Sequence, residues 1–410
     1  MTPNFIQLTS TNLPEIVSCP TSKSYANRYL IAAVLSKQEI ELAKLPSSTD
    51  VTDLLKNLTE VGVHFRHKKE TLTVVSSFPQ CEKKQKEPIL LSGSEGGTTI
   101  RFLCVLLALG QNKYVLPLKQ RMAKRPMESL MEKIKELGGT VELKDSKLFI
   151  QGPISLEGRI VMDCSETTQF ASALELCQAS EDFSFELIAQ NLSASKKYYL
   201  MTKHVVHQIK KSKFHVIPPD FSSLGYFVAY ALFRQNILIQ NVLEMDALQA
   251  DSKIFEIVKA MGGKFSFTEK GLWIYRAENL SGFEVNGEEC IDLVPTLFFM
   301  ACLAKTPSTI FNIHLLRLKE SDRLAGLLDI LNYYGVEYCL ENVKDQIKIF
   351  PLSEEKQSFW QKKQAILSPE FDHRMAMVST LFLKALGYGK LMNFSSVNKS
   401  FPLFFDYFGK

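Results

Sequence analysis

One segment recurs along this chain and constrains its fold more than any other feature. It is an amphipathic helix pattern that runs into glycine and then into a strand. Copies stand at 52–65 (TDLLKNLTEVGVHF), 130–143 (LMEKIKELGGTVEL), 254–267 (IFEIVKAMGGKFSF) and 326–340 (GLLDILNYYGVEYCL). A fifth, at 204–216 (HVVHQIKKSKFHV), has lost its glycine. In each, apolar residues recur three and four apart, and the glycine suits a left-handed helix C-terminal cap.

A second family of helices alternates with the first: 22–35 (SKSYANRYLIAAVL), 97–109 (GTTIRFLCVLLAL), 167–176 (TTQFASALEL), 222–232 (SSLGYFVAYAL), 295–304 (PTLFFMACLA) and 373–386 (HRMAMVSTLFLKAL). Most open on small polar residues and then turn apolar on nearly every face, which marks a helix buried on all sides. Six alternations, with β-rich connectors around 72–76 and 347–350, predict six similar units grouped into two lobes of three. Buried helix starts carry unpaired N–H groups and a partial positive charge. Converging starts therefore form an anion site. Three of them carry basic residues: Lys23 with Arg28, then Arg101, then Arg374. A multiply negative substrate held between the lobes is the expectation.

The charged segments are ambiguous one at a time. PTSKSYANR at 20–28 fits a phosphate-binding helix start or a capped helix with solvated charges, and SEGGTTIR at 94–101 fits an anion turn or a plain loop. KQRMAKR at 119–125 is dense in positive charge, but no aromatic residue interleaves with it, which disfavours nucleic acid. RLKESDR at 317–323 fits an exposed salt-bridged helix, and DHR at 372–374 fits an N-cap aspartate opening an apolar helix. The seven histidines show no metal-ligand spacing.

Composition narrows the field. With 410 residues, 46% hydrophobic and 22% charged, the chain reads as globular. The balance of 48 basic to 44 acidic residues is too mild to predict a polyanion or membrane surface. The eight cysteines form no C-x-x-C pair, and Cys104, Cys177 and Cys302 lie in apolar runs. No leader pattern opens the sequence and no apolar run is long enough to span a bilayer. A reduced, cytoplasmic, soluble protein is expected, with no metal.

Read together and in order, SKSYANR, GGTTIR, KRPM, TTQFASAL, SASKKY, DFSSLGYF, CIDLVPTL, LKESDR, DHRMAM and NKSFPLF resemble the signature segments of EPSP synthases, the 3-phosphoshikimate 1-carboxyvinyltransferases. The resemblance runs from Pro20 to Phe404. It implies an α/β (α+β) enolpyruvyl transferase fold of two lobes, each of three βαβαββ repeats around buried parallel helices. One lobe would be discontinuous (1–21 plus 220–410), the other would be 22–219, and the active site would lie in the cleft between them. The implied reaction transfers the enolpyruvyl group of phosphoenolpyruvate to the 5-hydroxyl of shikimate 3-phosphate through a tetrahedral intermediate, with no cofactor, by a monomer.

Carried over residue by residue, the resemblance assigns Lys23, Ser24, Arg28, Thr167, Thr168, Gln169, Ser195, Tyr198, Asp292 and Lys319 to shikimate 3-phosphate. It assigns Lys23, Gly97, Arg125, Gln169, Arg323, His373, Arg374 and Lys399 to phosphoenolpyruvate. Asp292 would be the base for the hydroxyl proton, with Glu320 and Lys23 moving the proton at C3. The chain departs from the family pattern at Glu95 (usually asparagine), Thr167–Thr168 (a serine pair), Lys197 (proline), Leu315 (a polar contact) and Cys164 (glycine). Two other readings are a non-catalytic two-lobed anion-binding homologue and a UDP-N-acetylglucosamine enolpyruvyl transferase. The second needs a loop cysteine near 111–125, where this chain has none.

Overall fold

The computed structural model describes residues 5–192 and 196–409, the side chain of Gln120 excepted. The chain divides into two compact units: Met1–Pro20 with Pro219–Lys410, and Thr21–Pro218. We call them the split unit and the inserted unit.

The inserted unit holds three copies of one arrangement. Its middle copy is the most complete. Strand Ile89–Leu90 leads through helix Gly97–Ala108 to Lys113–Pro117, and helix Glu128–Glu136 leads to the hairpin Thr140–Lys144 and Lys147–Gln151. The first two strands pair in parallel; Lys147–Gln151 then pairs antiparallel with both Lys113–Pro117 and Thr140–Lys144. Ile40–Ala43, Phe65–Lys68 and Thr71–Val74 repeat this order, and Phe214–Val216 supplies the parallel strand. The third copy keeps the parallel pair Glu157–Asp163 and Ser184–Gln190. It gives its closing strand, Phe214–Val216, to the first sheet, so the three copies close on themselves.

The split unit repeats the plan. Ile16–Val17, Ile237–Ile239, Lys264–Thr268 and Gly271–Tyr275 form one four-stranded sheet. Glu284–Asn286, Ser308–Phe311, Tyr338–Glu341 and Gln346–Ile349 form the next. The third copy departs from the expected unit. After its parallel strands Gln364–Leu367 and Tyr388–Met392, the chain makes short helical turns at Phe394–Lys399 and Phe404–Phe408, not a long amphipathic helix. Its third strand comes from the other end of the chain, where Phe5–Leu8 pairs antiparallel with Tyr388–Met392.

The recurring glycines do what the pattern implied. Gly62, Gly138, Gly262 and Gly335 all have positive φ, between 70° and 93°. There they end the helices in a conformation that a side chain would strain. The all-apolar helices form the core. Within the inserted unit, Lys23–Leu35, Gly97–Ala108 and Gln169–Leu176 touch one another pairwise, as do Phe221–Arg234, Val294–Leu303 and His373–Leu386 in the split unit. Every residue of His373–Leu386 is buried. Phe299 packs edge-on against Phe382 at 5.4 Å, and Tyr334 stacks on the same ring. Each large apolar side chain buried in these helices contributes about 1.5–3 kcal/mol. No helix among the described residues is long and apolar enough to cross a membrane.

Candidate functional site

Each unit gathers charged residues at the starts of its buried helices. In the inserted unit, Ser22 caps the Lys23–Leu35 helix by accepting from the Tyr25 amide, which leaves Lys23 as its first residue. The Lys23 ammonium lies 2.8 Å from Asp50 Oδ2. Asp50 is 2% exposed, and its other oxygen has no hydrogen-bond partner. It opens the Thr49–Glu60 helix, where the helix dipole favours a carboxylate.

The two glycines of the 94–101 turn are steric requirements. A Cβ at Gly96 would sit 2.5 Å from Asp50 Oδ1, and one at Gly97 would sit 2.6 Å from the Arg125 guanidinium. Removing both side chains lets an acid and a base press against one helix start. Glu95, beside them, is half-buried.

Arg28 is 2% exposed. It donates from Nε to Thr202 Oγ1 (2.8 Å), from Nη1 to the Ser24 carbonyl (2.8 Å) and from Nη2 to the Tyr198 carbonyl (3.1 Å). The rings of Phe102 and Tyr198 flank it at 5.4 and 5.8 Å. Thr202 in turn bonds Ser172. Arg101 is equally buried and donates to Gln169 Oε1 (2.7 Å) and the Pro126 carbonyl (2.6 Å). Burial lowers the Arg28 pKa to about 10. Burial, and then repulsion from Arg125, holds that of Arg101 well below its usual value. These bonds end on hydroxyl, amide and carbonyl oxygens, while Glu166 and Glu128 act on Arg101 electrostatically. Thr167 Oγ1 accepts from the Gln169 backbone N–H, and Thr168 is buried. Ser195 lies outside the described residues.

The split unit sets Arg323, Arg374 and Lys399 each against a carboxylate. Asp372 caps the His373–Leu386 helix by accepting from the amides of Arg374 and Met375. Its Oδ2 also receives Arg323 Nε (2.8 Å) and Ser321 Oγ (3.1 Å). Arg323, 2% exposed, opens its own helix and reaches Asp292 Oδ1 at 3.0 Å. Arg374 meets Asp292 Oδ2 at 3.2 Å. Beside them Glu320 accepts from Lys399 (3.1 Å) and lies 2.8 Å from His373 Nδ1.

Burial alone would raise the pKa of Asp292, but Arg374, Arg323 and Lys319 outweigh it and hold the carboxyl far below its usual range. For Glu320, burial is likewise overcome, chiefly by His373 and Lys399. Glu320, Asp372 and His373 bring donor atoms within 4.8 Å of one another. Arg323 and Lys399 already neutralise those oxygens, so this donor set does not suit a metal ion.

Asp251 was not anticipated from the sequence. It is 1% exposed, accepts from the Ser222 hydroxyl, and has one oxygen without a partner. Burial raises its pKa to about 7, opposed by Arg374 and reinforced by Asp292 and Asp220. A carboxyl that titrates near 4 when unfolded and near 7 when folded contributes stability below pH 4 that is lost as pH rises through 7. Asp251→Asn should therefore raise the melting temperature at pH 8, with the gain shrinking towards pH 5. Melting curves that differ equally at both pH values would refute this.

Of the sequence-derived residues, the inserted unit brings together Lys23, Gly97 and Arg125 through Asp50 and the glycine turn. It groups Arg28 with Ser24 and Tyr198, and Gln169 with Thr167. The split unit brings together Asp292, Glu320, Arg323, His373, Arg374 and Lys399, with Lys319 acting electrostatically on Asp292. Asp50, Arg101 and Asp372 emerge as their direct partners.

Residues 8–408 match the family described as EPSP synthase (3-phosphoshikimate 1-carboxyvinyltransferase). The chain is 27% identical to the 3-phosphoshikimate 1-carboxyvinyltransferase of Buchnera aphidicola subsp. Cinara cedri, covering 96% of this chain and 93% of that one. It is 26% identical to the protein of the same description from Methanoregula boonei, covering 96% of each. Its fold is similar to EPSP synthase from Acinetobacter baumannii, with TM-score 0.71 and 18% identity over 98% of this chain and 97% of that one. It is also similar in fold to the enolpyruvyl transferase NikO from Streptomyces tendae, with TM-score 0.72 and 14% identity over 98% and 96%.

Proposed function

We infer, because the chain belongs to the EPSP synthase (3-phosphoshikimate 1-carboxyvinyltransferase) family, that it transfers the enolpyruvyl group of phosphoenolpyruvate to the 5-hydroxyl of shikimate 3-phosphate and releases phosphate. The observation that carries this reading is the state of Asp292 and Glu320, two carboxylates each held by cations that an incoming anion can take over.

In this reading the residue groups of the two units serve one pair of substrates. Arg28, Ser24, Thr167, Thr168, Ser195, Tyr198 and Lys319 hold shikimate 3-phosphate. Arg125, the Gly97 turn, Arg323, His373, Arg374 and Lys399 hold phosphoenolpyruvate, with Lys23 and Gln169 serving both. As long as Arg323 and Arg374 clasp Asp292, it is a poor base. When the anions of phosphoenolpyruvate draw those guanidiniums to themselves, the Asp292 pKa rises towards one suited to take the hydroxyl proton. The 5-oxygen attacks C2 while C3 gains a proton from Lys23, or from Glu320 once the ligand has drawn off its cations and its raised pKa has let it take one up. The tetrahedral adduct then loses phosphate as the C3 methyl returns that proton. The cations stabilise charge as it develops.

Incubating the protein with both substrates and following phosphate release tests the reading. Turnover at millimolar substrate supports it. A folded protein that binds both anions and releases no phosphate is instead a non-catalytic homologue, and turnover only with a UDP-sugar acceptor would move it to the other transferase class.

A further inference from the structure

The functional reading places Gln169 against both substrates, and the role inferred for its neighbour Arg101 rests on that reading. A guanidinium carries five N–H donors and no acceptor. The Gln169 atom 2.7 Å from Arg101 Nη1 is therefore its carbonyl oxygen. The flipped amide would put N–H against N–H. We propose that Arg101 is a positioning residue that locks the Gln169 amide with its NH2 group turned to the ligand, so that Gln169 serves the reaction as a hydrogen-bond donor.

The lock extends further. Through Nη2 the same guanidinium holds the carbonyl of Pro126, the residue after Arg125. Arg101 is rooted in the Gly97–Ala108 helix, one turn beyond the glycine that the Arg125 guanidinium rests against. It lies over the Phe170 ring at 5.2 Å, which keeps the fork from turning. One buried side chain thus fixes three segments: its own helix, the start of the Gln169–Leu176 helix and the approach of Arg125. Lysine has one nitrogen at its tip and cannot span two acceptors in this fork geometry. The ligand atom facing Gln169 must then be an acceptor: a carboxylate, phosphate or ether oxygen.

A double-mutant cycle tests the lock, using steady-state kinetics and calorimetric affinity for shikimate 3-phosphate. In the wild-type background, Gln169→Ala should lower kcat/KM at least about tenfold, the scale of one lost hydrogen bond. In the Arg101→Met or Arg101→Lys background the same change should cost no more than about threefold, because the amide is no longer held. Losses that multiply fully in the double variants would overturn the proposal, as would Arg101 variants with unchanged kinetics. If the Met substitution fails to fold by circular dichroism, the Lys substitution, which keeps the charge, decides. A wild-type protein without turnover would count against the functional reading, and the same cycle on shikimate 3-phosphate affinity would then decide the role of Arg101.

Discussion

Asp292→Ala and Glu320→Ala should each lower kcat by at least about a hundredfold, the usual scale for removing a general acid or base. The more telling half of the prediction concerns KM. Asp292 neutralises Arg323 and Arg374, and Glu320 neutralises Lys399, all three assigned here to phosphoenolpyruvate. Any anion that binds must first compete with these carboxylates. Removing either one lifts that competition, so phosphoenolpyruvate should bind as well as before or more tightly while turnover collapses. Losing a carboxylate that merely scaffolds the site would disorder the cations and weaken binding instead. Initial-rate kinetics with both substrates varied would separate the cases, and turnover within tenfold of wild type in both variants would sink the assignment.

Asp372→Ala should be the most destabilising single change in this group. The residue is fully buried and does three jobs: it caps the His373–Leu386 helix, accepts from Ser321, and carries the Arg323 ion pair. Breaking a buried pair from one side costs about 3–5 kcal/mol, because a charge stays behind in low dielectric. Arg323 keeps its Asp292 contact, which argues for the lower figure, while loss of the cap adds about 1 kcal/mol. At about 2–4 °C per kcal/mol for a unit of roughly 200 residues, the resulting loss of about 4 kcal/mol should make the split unit melt some 8–16 °C lower. Asp372→Asn keeps an oxygen for the cap and should recover part of this. A melting temperature within 2 °C of wild type for the alanine variant would show that Asp292 alone satisfies Arg323.

Periodicity exposed the repeat because it is local: a glycine at positive φ ends four of the amphipathic helices, and an unbroken apolar run marks each central one. The Asp372 cap was legible for the same reason, standing directly before its helix. What the sequence withheld depends on partners far along the chain. Asp50 looks like any acid at a helix start until Lys23, 27 positions away, is seen on it. Arg101 was visible as a cation near a helix start, but its hold on Gln169 spans 68 positions. The charges of 317–323 read as one salt-bridged helix. In the structure a short helical turn ends at Leu318, and the next helix starts only at Arg323, capped by Asp322, so the charges do not share a helical face.

The pairing of Phe5–Leu8 with Tyr388–Met392 also sets a timetable. Ribosomes add about 5–20 residues per second, so Phe5–Leu8 waits roughly 20–80 s after its synthesis for its partner strand. The inserted unit has no such delay. Ser22 already bonds the Pro218 carbonyl where its two ends meet, so it can close as soon as Pro218 has emerged. The nascent chain thus carries a finished module flanked by an orphan strand edge. Protection of residues 5–8 from the wrong neighbours falls to whatever attends the ribosome during that interval.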